Sequence, residues 1–251
     1  MISKIIDNKK KEVENNKKVL PLDILKYKLG NSKRDFKQAI SKNKMNLIAE
    51  IKKKSPSNNI QNKEFNFERI IDVYNKHADA ISVLTDSKFF DGNLNDIKKV
   101  RDLTNLPILR KDFIIDEYQI YESRFYGADA ILLIASVLSK NQISFFSRIA
   151  RNYNMDCLVE VHTEEELIKV MDTGAEIIGI NNRNLDTLNI DTNTTLKLLD
   201  KIPKNKVVVS ESGISSNTYI KQLSGKVSAV LVGTLFMNST NPEKEIVSLI
   251  Q

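Results

Sequence analysis

The sequence predicts an α/β protein, a single (β/α)8 TIM barrel that carries an N-terminal helical extension. Eight short apolar runs rich in β-branched residues recur along the chain, and each interval between them has room for a helix. The runs are continuous in hydrophobicity rather than alternating, which is typical of parallel strands buried on both faces. Eight repeats of strand and helix therefore favour a closed barrel.

The predicted strands are Leu47–Ile51, Ala80–Leu84, Pro107–Leu109, Ala130–Ile134, Leu158–Val161, Ile177–Ile180, Val207–Val209 and Ala229–Val232. Apolar residues at helical spacing predict a helix over 94–103. Thr163 with Glu166, and Ser139 with Gln142, match the capping box of a helix start. An open doubly wound sheet is the alternative, but no glycine-rich turn follows the first strand.

Residues 1–45 precede the first strand and are expected to form a helical extension that covers the barrel bottom or rim. Apolar residues between positions 2 and 13 predict an amphipathic helix with a basic outer face, which Pro21 interrupts. A second short helix is expected around 32–40. No linker-like composition divides the chain further, so residues 46–251 are expected to form one catalytic barrel domain.

Composition narrows the classes of function. Hydrophobic residues make up 41% of the chain and charged residues 28%, and no apolar run is long enough to cross a membrane. The net charge of +6 comes from lysines spread among acids, without the aromatic-rich basic clusters that bind nucleic acid. A lone cysteine, Cys157, favours a reducing cytoplasm. We expect a cytoplasmic monomer or weak homodimer without nucleic-acid or membrane partners.

Polar residues follow the predicted strands at the end where such barrels place their active sites. Glu50 and Lys52 share one face of the first strand, since residues two apart point the same way. We do not expect polar residues in the same way at the beginnings of the strands. The other polar residues at strand ends are Arg110, Lys111, Asp112, Glu160, His162, Asn181, Asn182, Arg183, Ser210, Glu211 and Ser212.

Two glycine-containing turns follow the last two strands and predict a phosphate site. Ser212 and Gly213 follow the seventh strand, and Gly233 and Thr234 follow the eighth. Glycine lets the backbone approach an anion, and backbone N–H groups near a helix start can hold it. Two unrelated turn glycines are the simpler interpretation for either site alone, but their pairing favours a phosphorylated small molecule.

Candidate acid and base groups stand among the strand-end residues. Desolvation at the third strand's end is expected to lower the pKa of Lys111 toward a range useful for proton donation. Glu160 is a candidate general acid or base, although it could equally be a hydrogen-bonding strut. His162 lies beside the Thr163 cap and is interpreted as structural. The spacing of Cys, His and carboxylates predicts no metal site, and no dinucleotide or Walker motif is present.

These motifs resemble the indole-3-glycerol-phosphate synthase family over nearly the whole chain. The resemblance rests on five ordered motifs, namely 50–57 (EIKKKSPS), 109–119 (LRKDFIIDEYQ), 160–167 (EVHTEEEL), 179–185 (GINNRNL) and 210–214 (SESGI). It departs from the family after Ser57, where Asn58-Asn59 replaces a basic or small residue and then glycine. Family members act in tryptophan biosynthesis, closing the indole ring of 1-(2-carboxyphenylamino)-1-deoxyribulose 5-phosphate with loss of carbon dioxide and water.

The resemblance implies a role for each matching residue and no cofactor. Lys111 would be the general acid at the ketone oxygen, and Glu160, assisted by Glu50, would move protons during loss of water. Lys52 would hold the substrate carboxylate and share acid duty. The remaining implied contacts are to substrate for Ser55, Asn181, Arg183 and Glu211, and to phosphate for Ser212, Gly213, Gly233 and Thr234.

Two other functions remain possible from the residues. One is a related phosphate-binding barrel such as phosphoribosylanthranilate isomerase, for which a cysteine or aspartate acid/base pair is expected. Cys157 lies within or just before the fifth strand rather than at a strand end, which argues against it. The other is a barrel that binds a ligand without catalysis, which the full set of strand-end residues disfavours.

Overall fold

A computed structural model describes residues 1–54 and 66–250 and contains a closed barrel of eight parallel strands. The strands pair in chain order, and β1 closes on β8 with Asn46 opposite Ala229 and Ala49 opposite Val232. Their bounds are β1 Asn46–Ile51, β2 Ala80–Leu84, β3 Ile108–Lys111, β4 Ala130–Ile134, β5 Asp156–Val161, β6 Ile177–Asn181, β7 Val207–Glu211 and β8 Ala229–Val232. The predicted barrel is thereby confirmed.

Helices alternate with the strands and surround the barrel. The described helices are α1 Ile2–Val19, α2 Leu22–Lys28, α3 Phe36–Ala39, α4 Phe67–His77, α5 Ser87–Phe90, α6 Leu94–Leu103, α7 Tyr118–Tyr126, α8 Lys140–Arg151, α9 Glu164–Met171, α10 Asn193–Leu199, α11 Asn217–Leu223, α12 Thr234–Asn238 and α13 Pro242–Ile250. None of these helices combines the length and apolar character needed to cross a membrane.

Side chains that point into the barrel form a continuous apolar plug. Alternate residues of the strands, such as Leu109 of β3 and Leu158 of β5, belong to one buried cluster. Phe36 and Ile40, from α3 and the residue after it, join this cluster at the end where the strands begin. Lys37 confirms that position, because its backbone N–H bonds to Asp156 at the start of β5 over 2.9 Å.

The N-terminal extension covers both ends of the barrel rather than one. α3 closes the bottom, whereas α1 runs beside the opposite end, where the strands finish. The predicted interruption at Pro21 is correct, since α1 ends at Val19. The sequence reasoning missed α2, a seven-residue helix that begins directly after Pro21.

The strand beginnings are not free of buried polar residues, so that expectation was wrong. Asp79 is buried before β2, and its Oδ2 accepts a hydrogen bond from the backbone N–H of Leu47 at 3.0 Å. Asp129, buried before β4, accepts one from the N–H of Ile108 at 2.9 Å. Buried backbone donors need partners, and these carboxylates supply them where a neighbouring strand begins. Such residues fasten strands and need not mark an active site.

A fully buried lysine ties α1 to the ends of β2 and β3. Lys9 Nζ lies 3.0 Å from Asp86 Oδ2 and 2.8 Å from Asp112 Oδ1, and both carboxylates are buried. It also bonds to Glu12 at 2.9 Å. Burial alone would lower the pKa of Lys9, but the charges of Asp112 and Asp86 outweigh it and raise that pKa. Asp112 precedes Phe113 and follows Lys111, so this ion pair anchors the segment that ends β3.

Replacing Lys9 by Met should destabilise the fold strongly. The change leaves Asp86 without its cation and Asp112 with Arg110 alone, 2.9 Å away. Removing one partner of a buried ion pair typically costs about 3–5 kcal/mol. Urea unfolding followed by circular dichroism would measure the loss. Lys10→Met is the matched control, because Lys10 is exposed and forms a 3.8 Å surface pair with Asp7. Equal unfolding midpoints for the two variants would contradict the assignment.

Candidate active site

The predicted site residues meet in one cavity at the C-terminal end of the barrel, which we call the mouth. The cavity has a volume of about 630 Å³. It is lined by Glu50, Lys52, Lys111, Glu160, Asn181, Arg183, Glu211, Ser212, Gly213, Gly233 and Thr234, all predicted from sequence. Ser55, together with Asn58-Asn59, lies outside the described residues.

Lys111 stands at the centre of the charged floor. It is the last residue of β3 and points inward like Leu109, two positions earlier. Its Nζ lies 3.0 Å from Glu160 Oε2 and 3.1 Å from Glu211 Oε2. Strands β3, β5 and β7 therefore each contribute one member of this ion-pair group.

The expected direction of the Lys111 pKa shift was wrong. Desolvation does act to lower the pKa of Lys111, but the charges of Glu160, Glu211 and Glu50 outweigh it and raise the pKa. An opposite charge within hydrogen-bond reach favours the ammonium form. Lys111 therefore carries its proton throughout the neutral pH range.

The two carboxylates beside Lys111 are in different electrostatic states. Burial acts to raise the pKa of Glu160, yet Lys111 and His162 outweigh it and lower the pKa, so this group is ionised. Burial raises the pKa of Glu211 to about 7, with Glu160 and Glu50 adding to the effect and Lys111 opposing it. Neighbouring groups whose pKa values are pushed apart can serve as base and acid in one site.

Glu50 and Lys52 form a second pair at the end of β1. Lys52 Nζ lies 2.8 Å from Glu50 Oε1. The backbone carbonyl of Glu50 accepts a hydrogen bond from the buried Tyr74 hydroxyl at 3.1 Å. The charge pair predicted from the strand pattern is thus present, and α4 holds its backbone.

Two glycines leave space for these carboxylates. A Cβ atom at Gly179 of β6 would lie 2.2 Å from Glu211 Oε1, and one at Gly233 would lie 2.4 Å from Glu50 Oε1. Both distances are shorter than any van der Waals contact. Gly233 therefore makes room for the Glu50 side chain, a role that its interpretation as a phosphate-loop glycine did not include.

The two predicted phosphate turns border the same cavity. Ser212 and Gly213 both have left-handed backbone angles, with φ of 64° and 74°. For serine this conformation is uncommon and costs energy, so the fold must hold it in place. Gly233 directly precedes α12, which begins at Thr234. The geometry brings both turns to one side of the mouth, beside Arg183 and Asn181.

Arg183 and Asn181 are held by backbone contacts after β6. Asn181 Oδ1 accepts a hydrogen bond from the backbone N–H of Arg183 at 3.0 Å. The guanidinium donates to the carbonyl of Leu188 at 3.2 Å, and residue 183 bridges to Ile190. This turn keeps the Arg183 side chain half-buried at the edge of the cavity.

An apolar wall of the cavity was missed by the sequence reasoning. It consists of Phe90, Phe113, Leu132 and Ile134, and the two phenyl rings lie 6.3 Å apart between centroids. Leu132 and Ile134 stand two apart on a predicted strand, so the inward face could have been read from the pattern. Phe90 ends the short helix α5 and Phe113 lies in the segment after β3, and no periodic pattern in the sequence marks either side chain as facing the cavity.

His162 is closer to the chemistry than its structural interpretation implied, because its Nε2 lies 3.3 Å from Glu160 Oε1. Within residues 1–54 and 66–250, no group of three or more histidines, cysteines and acidic side chains is arranged to hold a metal ion.

A family model described as indole-3-glycerol phosphate synthase matches residues 2–249. The chain belongs to the indole-3-glycerol phosphate synthase family. An indole-3-glycerol phosphate synthase of Caldanaerobacter subterraneus subsp. tengcongensis is 46% identical over 239 residues, which cover 94% of this chain and 93% of that protein. One of Thermoanaerobacter pseudethanolicus is 45% identical over 240 residues, or 94% of this chain and 92% of that protein.

Some relatives are longer than this chain. The tryptophan biosynthesis protein TrpCF of Buchnera aphidicola subsp. Schizaphis graminum is 45% identical over 250 residues, and the chain spans 55% of its length. Among solved structures, the 3-hexulose-6-phosphate synthase of Salmonella typhimurium aligns with a TM-score of 0.64 at 16% identity, over 82% of this chain and 97% of that one. That likeness shows the barrel fold alone.

Gly179→Ala should destabilise this member of the indole-3-glycerol phosphate synthase family. The added methyl group would displace Glu211 and also approach Leu158 Cδ1 at 3.2 Å. Overpacking of this kind typically costs about 1–3 kcal/mol. Gly30→Ala is the control, because its Cβ would meet nothing within 4 Å. Denaturant unfolding would compare them, and equal stability of both variants would contradict the close approach of Glu211.

The stability contributed by His162 should disappear at alkaline pH. Burial acts to lower its pKa, but the neighbouring carboxylates of Glu160 and Glu166 outweigh it and raise the pKa from 6.5 to about 10. A raised histidine pKa stabilises the fold fully below pH 6.5, and the benefit is lost as pH rises to about 10. The difference in unfolding free energy between wild type and His162→Asn should shrink across this window. A pH-independent difference would disprove it.

Proposed function

We propose that the protein is an indole-3-glycerol-phosphate synthase. It converts 1-(2-carboxyphenylamino)-1-deoxyribulose 5-phosphate to indole-3-glycerol phosphate, with release of carbon dioxide and water and without a metal or organic cofactor. The observation that carries the proposal is the Lys111 ammonium held between the Glu160 and Glu211 carboxylates on the cavity floor. The family membership supports the same reaction.

The first step of the proposed mechanism closes the ring. The aromatic carbon that bears the carboxylate attacks the ketone carbon, and the developing alkoxide takes a proton from Lys111. An alkoxide is basic enough to accept this proton although the pKa of Lys111 is raised. A fixed ammonium in a buried site also stabilises the developing negative charge before transfer. The floor therefore supplies both the acid and the electrostatic stabilisation.

When carbon dioxide leaves, the electron pair of the broken carbon–carbon bond returns to the ring and restores its aromaticity. Loss of water then completes the indole. Glu160 is ionised and accepts a proton in this stage, assisted by Glu50 from β1. Lys52, paired with Glu50 at 2.8 Å, binds the substrate carboxylate before it leaves and then, sharing the acid role, gives a proton to the hydroxyl group that departs as water. Glu211, paired with Lys111 at 3.1 Å, contacts the substrate from the cavity floor.

The remaining residues position the substrate. The apolar wall packs against its aromatic ring, while Asn181 and Arg183 orient the chain between the ring and the phosphate. Ser212, Gly213, Gly233 and Thr234 bind the phosphate at the two turns after β7 and β8, and Ser55, which lies outside the described residues, contacts the substrate. Holding the ring carbon near the ketone raises the rate of ring closure, because a substrate already oriented by binding loses less entropy in reaching the transition state.

The protein is proposed to work in the cytoplasm, as a monomer or weak homodimer, on a phosphorylated small molecule. Cys157 lies inside β5 and does not line the cavity of the described residues. Burial raises the pKa of its thiol to about 12. Cys157 is therefore unsuited to the acid/base role expected in a phosphoribosylanthranilate isomerase, and the isomerase alternative gains no support.

Lys111→Met should remove most of the ring-closing activity. Loss of a general acid costs about 10²–10⁴-fold in rate. Purified protein would be incubated with the carboxyphenylamino substrate and indole fluorescence followed, with a low background because the chain has no tryptophan. The control Lys140→Met replaces an exposed lysine that pairs with Asp172.

Circular dichroism and binding of an unreactive substrate analogue would establish that Lys111→Met is folded. Its stability should also fall, since Glu160 and Glu211 lose their shared cation. The assays would therefore be run well below its unfolding temperature. Near-normal turnover in the folded variant would show that Lys111 is not the acid.

A further inference from the structure

His162 lies beside Glu160, one residue after the end of β5. Its side chain is 8% exposed, and its Nε2 lies 3.3 Å from Glu160 Oε1. Glu160 is among the described residues that line the cavity, and His162 is not. Any influence of His162 on a bound substrate therefore passes through Glu160.

Glu166 fixes the orientation of the His162 ring. Its Oε2 accepts a hydrogen bond from the backbone N–H of His162 at 2.7 Å and lies 3.1 Å from the ring Nδ1. The backbone of Glu166 is held in turn, because its N–H donates to the Thr163 hydroxyl at 3.2 Å. The start of α9 thus sets the position of Glu166, and Glu166 sets the ring.

The two oxygens of Glu160 face different cations. Oε2 lies 3.0 Å from Lys111 Nζ, and Oε1 faces the His162 ring. Lys111 is shared with Glu211, and Glu50 adds a further negative charge nearby. Lys52 pairs with Glu50, which leaves Glu160 and Glu211 to share the ammonium of Lys111, so a second cation next to Glu160 offsets part of the remaining negative charge.

We propose that His162, oriented by Glu166, is a positioning residue that holds the Glu160 carboxylate ionised and directed at the reacting centre. This inference rests on the proposed function, since it concerns the base of that reaction. In the chain Glu166–His162–Glu160, Oε1 of Glu160 lies against the His162 ring, while Oε2 lies against the Lys111 ammonium on the cavity floor. An oriented carboxylate in a buried site is the arrangement that proton removal requires.

A purely structural role for His162, as part of the α9 start, makes a different prediction. A helix-start contact would change stability and leave the pH dependence of catalysis unchanged. The positioning role changes the pH dependence, because removing a cation makes Glu160 harder to ionise. The groups facing Glu160 in this argument are Lys111 from β3, Glu211 from β7 and His162.

The kinetic test compares four proteins, the wild type, His162→Leu, His162→Gln and Glu166→Gln. We expect kcat to fall about tenfold or more for His162→Leu, with a smaller change in KM. His162→Gln keeps an N–H donor without the charge and should recover part of kcat. In both, the acidic limb of the pH profile of kcat/KM should move to higher pH. Glu166→Gln should move it the same way by less.

Glu165→Gln is the matched control for Glu166→Gln. Glu165 is the adjacent acid in the first turn of α9, and it is exposed. Its substitution should leave kcat and the pH profile unchanged. If His162→Leu and His162→Gln both kept the wild-type kcat and acidic limb, the positioning role would be overturned.

A titration by nitrogen-15 NMR tests the contact without any substrate. The chain has only two histidines, so the His162 signals are identified by their absence in His162→Gln. The wild-type ring should stay doubly protonated beyond pH 8, in keeping with its raised pKa of about 10. Glu166→Gln should bring its titration to lower pH. Titration of wild-type His162 near its ordinary value of 6.5 would overturn the proposal whatever the activity.

The two experiments also separate this proposal from the proposed function. A wild-type protein that forms no indole but keeps a protonated His162 would refute the reaction, and the catalytic role of His162 with it, while supporting the contact. Normal indole formation with an ordinary His162 titration would refute the contact alone.

Discussion

The buried ammonium of Lys111 is the charge on which the mouth of the barrel depends. Its partners Glu160 and Glu211 stand on β5 and β7, so no hairpin or single repeat could assemble the group. Removing three charges from water is costly unless each finds a partner. Only a closed sheet brings the three strand ends together around one point. The barrel topology and the charge group therefore support each other. Opening the barrel would separate the three charges, and removing the ammonium would leave the two carboxylates buried without their shared cation.

Much of the fold followed from apolar runs alone, and most errors in the strand bounds lie where polar residues begin or end a strand. β2, β4 and β8 begin and end at the residues predicted from sequence, because each is flanked by polar residues or by a turn. β3 and β7 extend two residues further than predicted, to Lys111 and Glu211. A charged residue at the end of a buried strand looks like a loop residue in sequence. Its burial depends on partners from distant strands.

The candidate site was predictable in membership and less so in chemistry. The rule that barrel sites lie at strand ends correctly predicted eleven of the residues that line the cavity. Ser55 lies outside the described residues. Desolvation alone gave the wrong direction for the pKa of Lys111, since three carboxylates from other strands outweigh it. The contact of His162 with Glu160 was missed because its proximity to the Thr163 cap suggested a local role. Electrostatic states depend on tertiary neighbours, which strand patterns do not identify.

The attachment of α1 through Lys9 has a consequence for the order in which the protein assembles. α1 is synthesised before β2 and β3 exist, so Lys9 must wait for Asp86 and Asp112 to emerge. Until then the apolar face of this helix has no barrel to cover. Although α1 is synthesised first, it therefore docks onto the barrel only after β2 and β3 have formed. Asp86 and Asp112, which follow β2 and β3, gain the Lys9 ammonium only when α1 docks, so closure of this side of the mouth depends on the N-terminal helix.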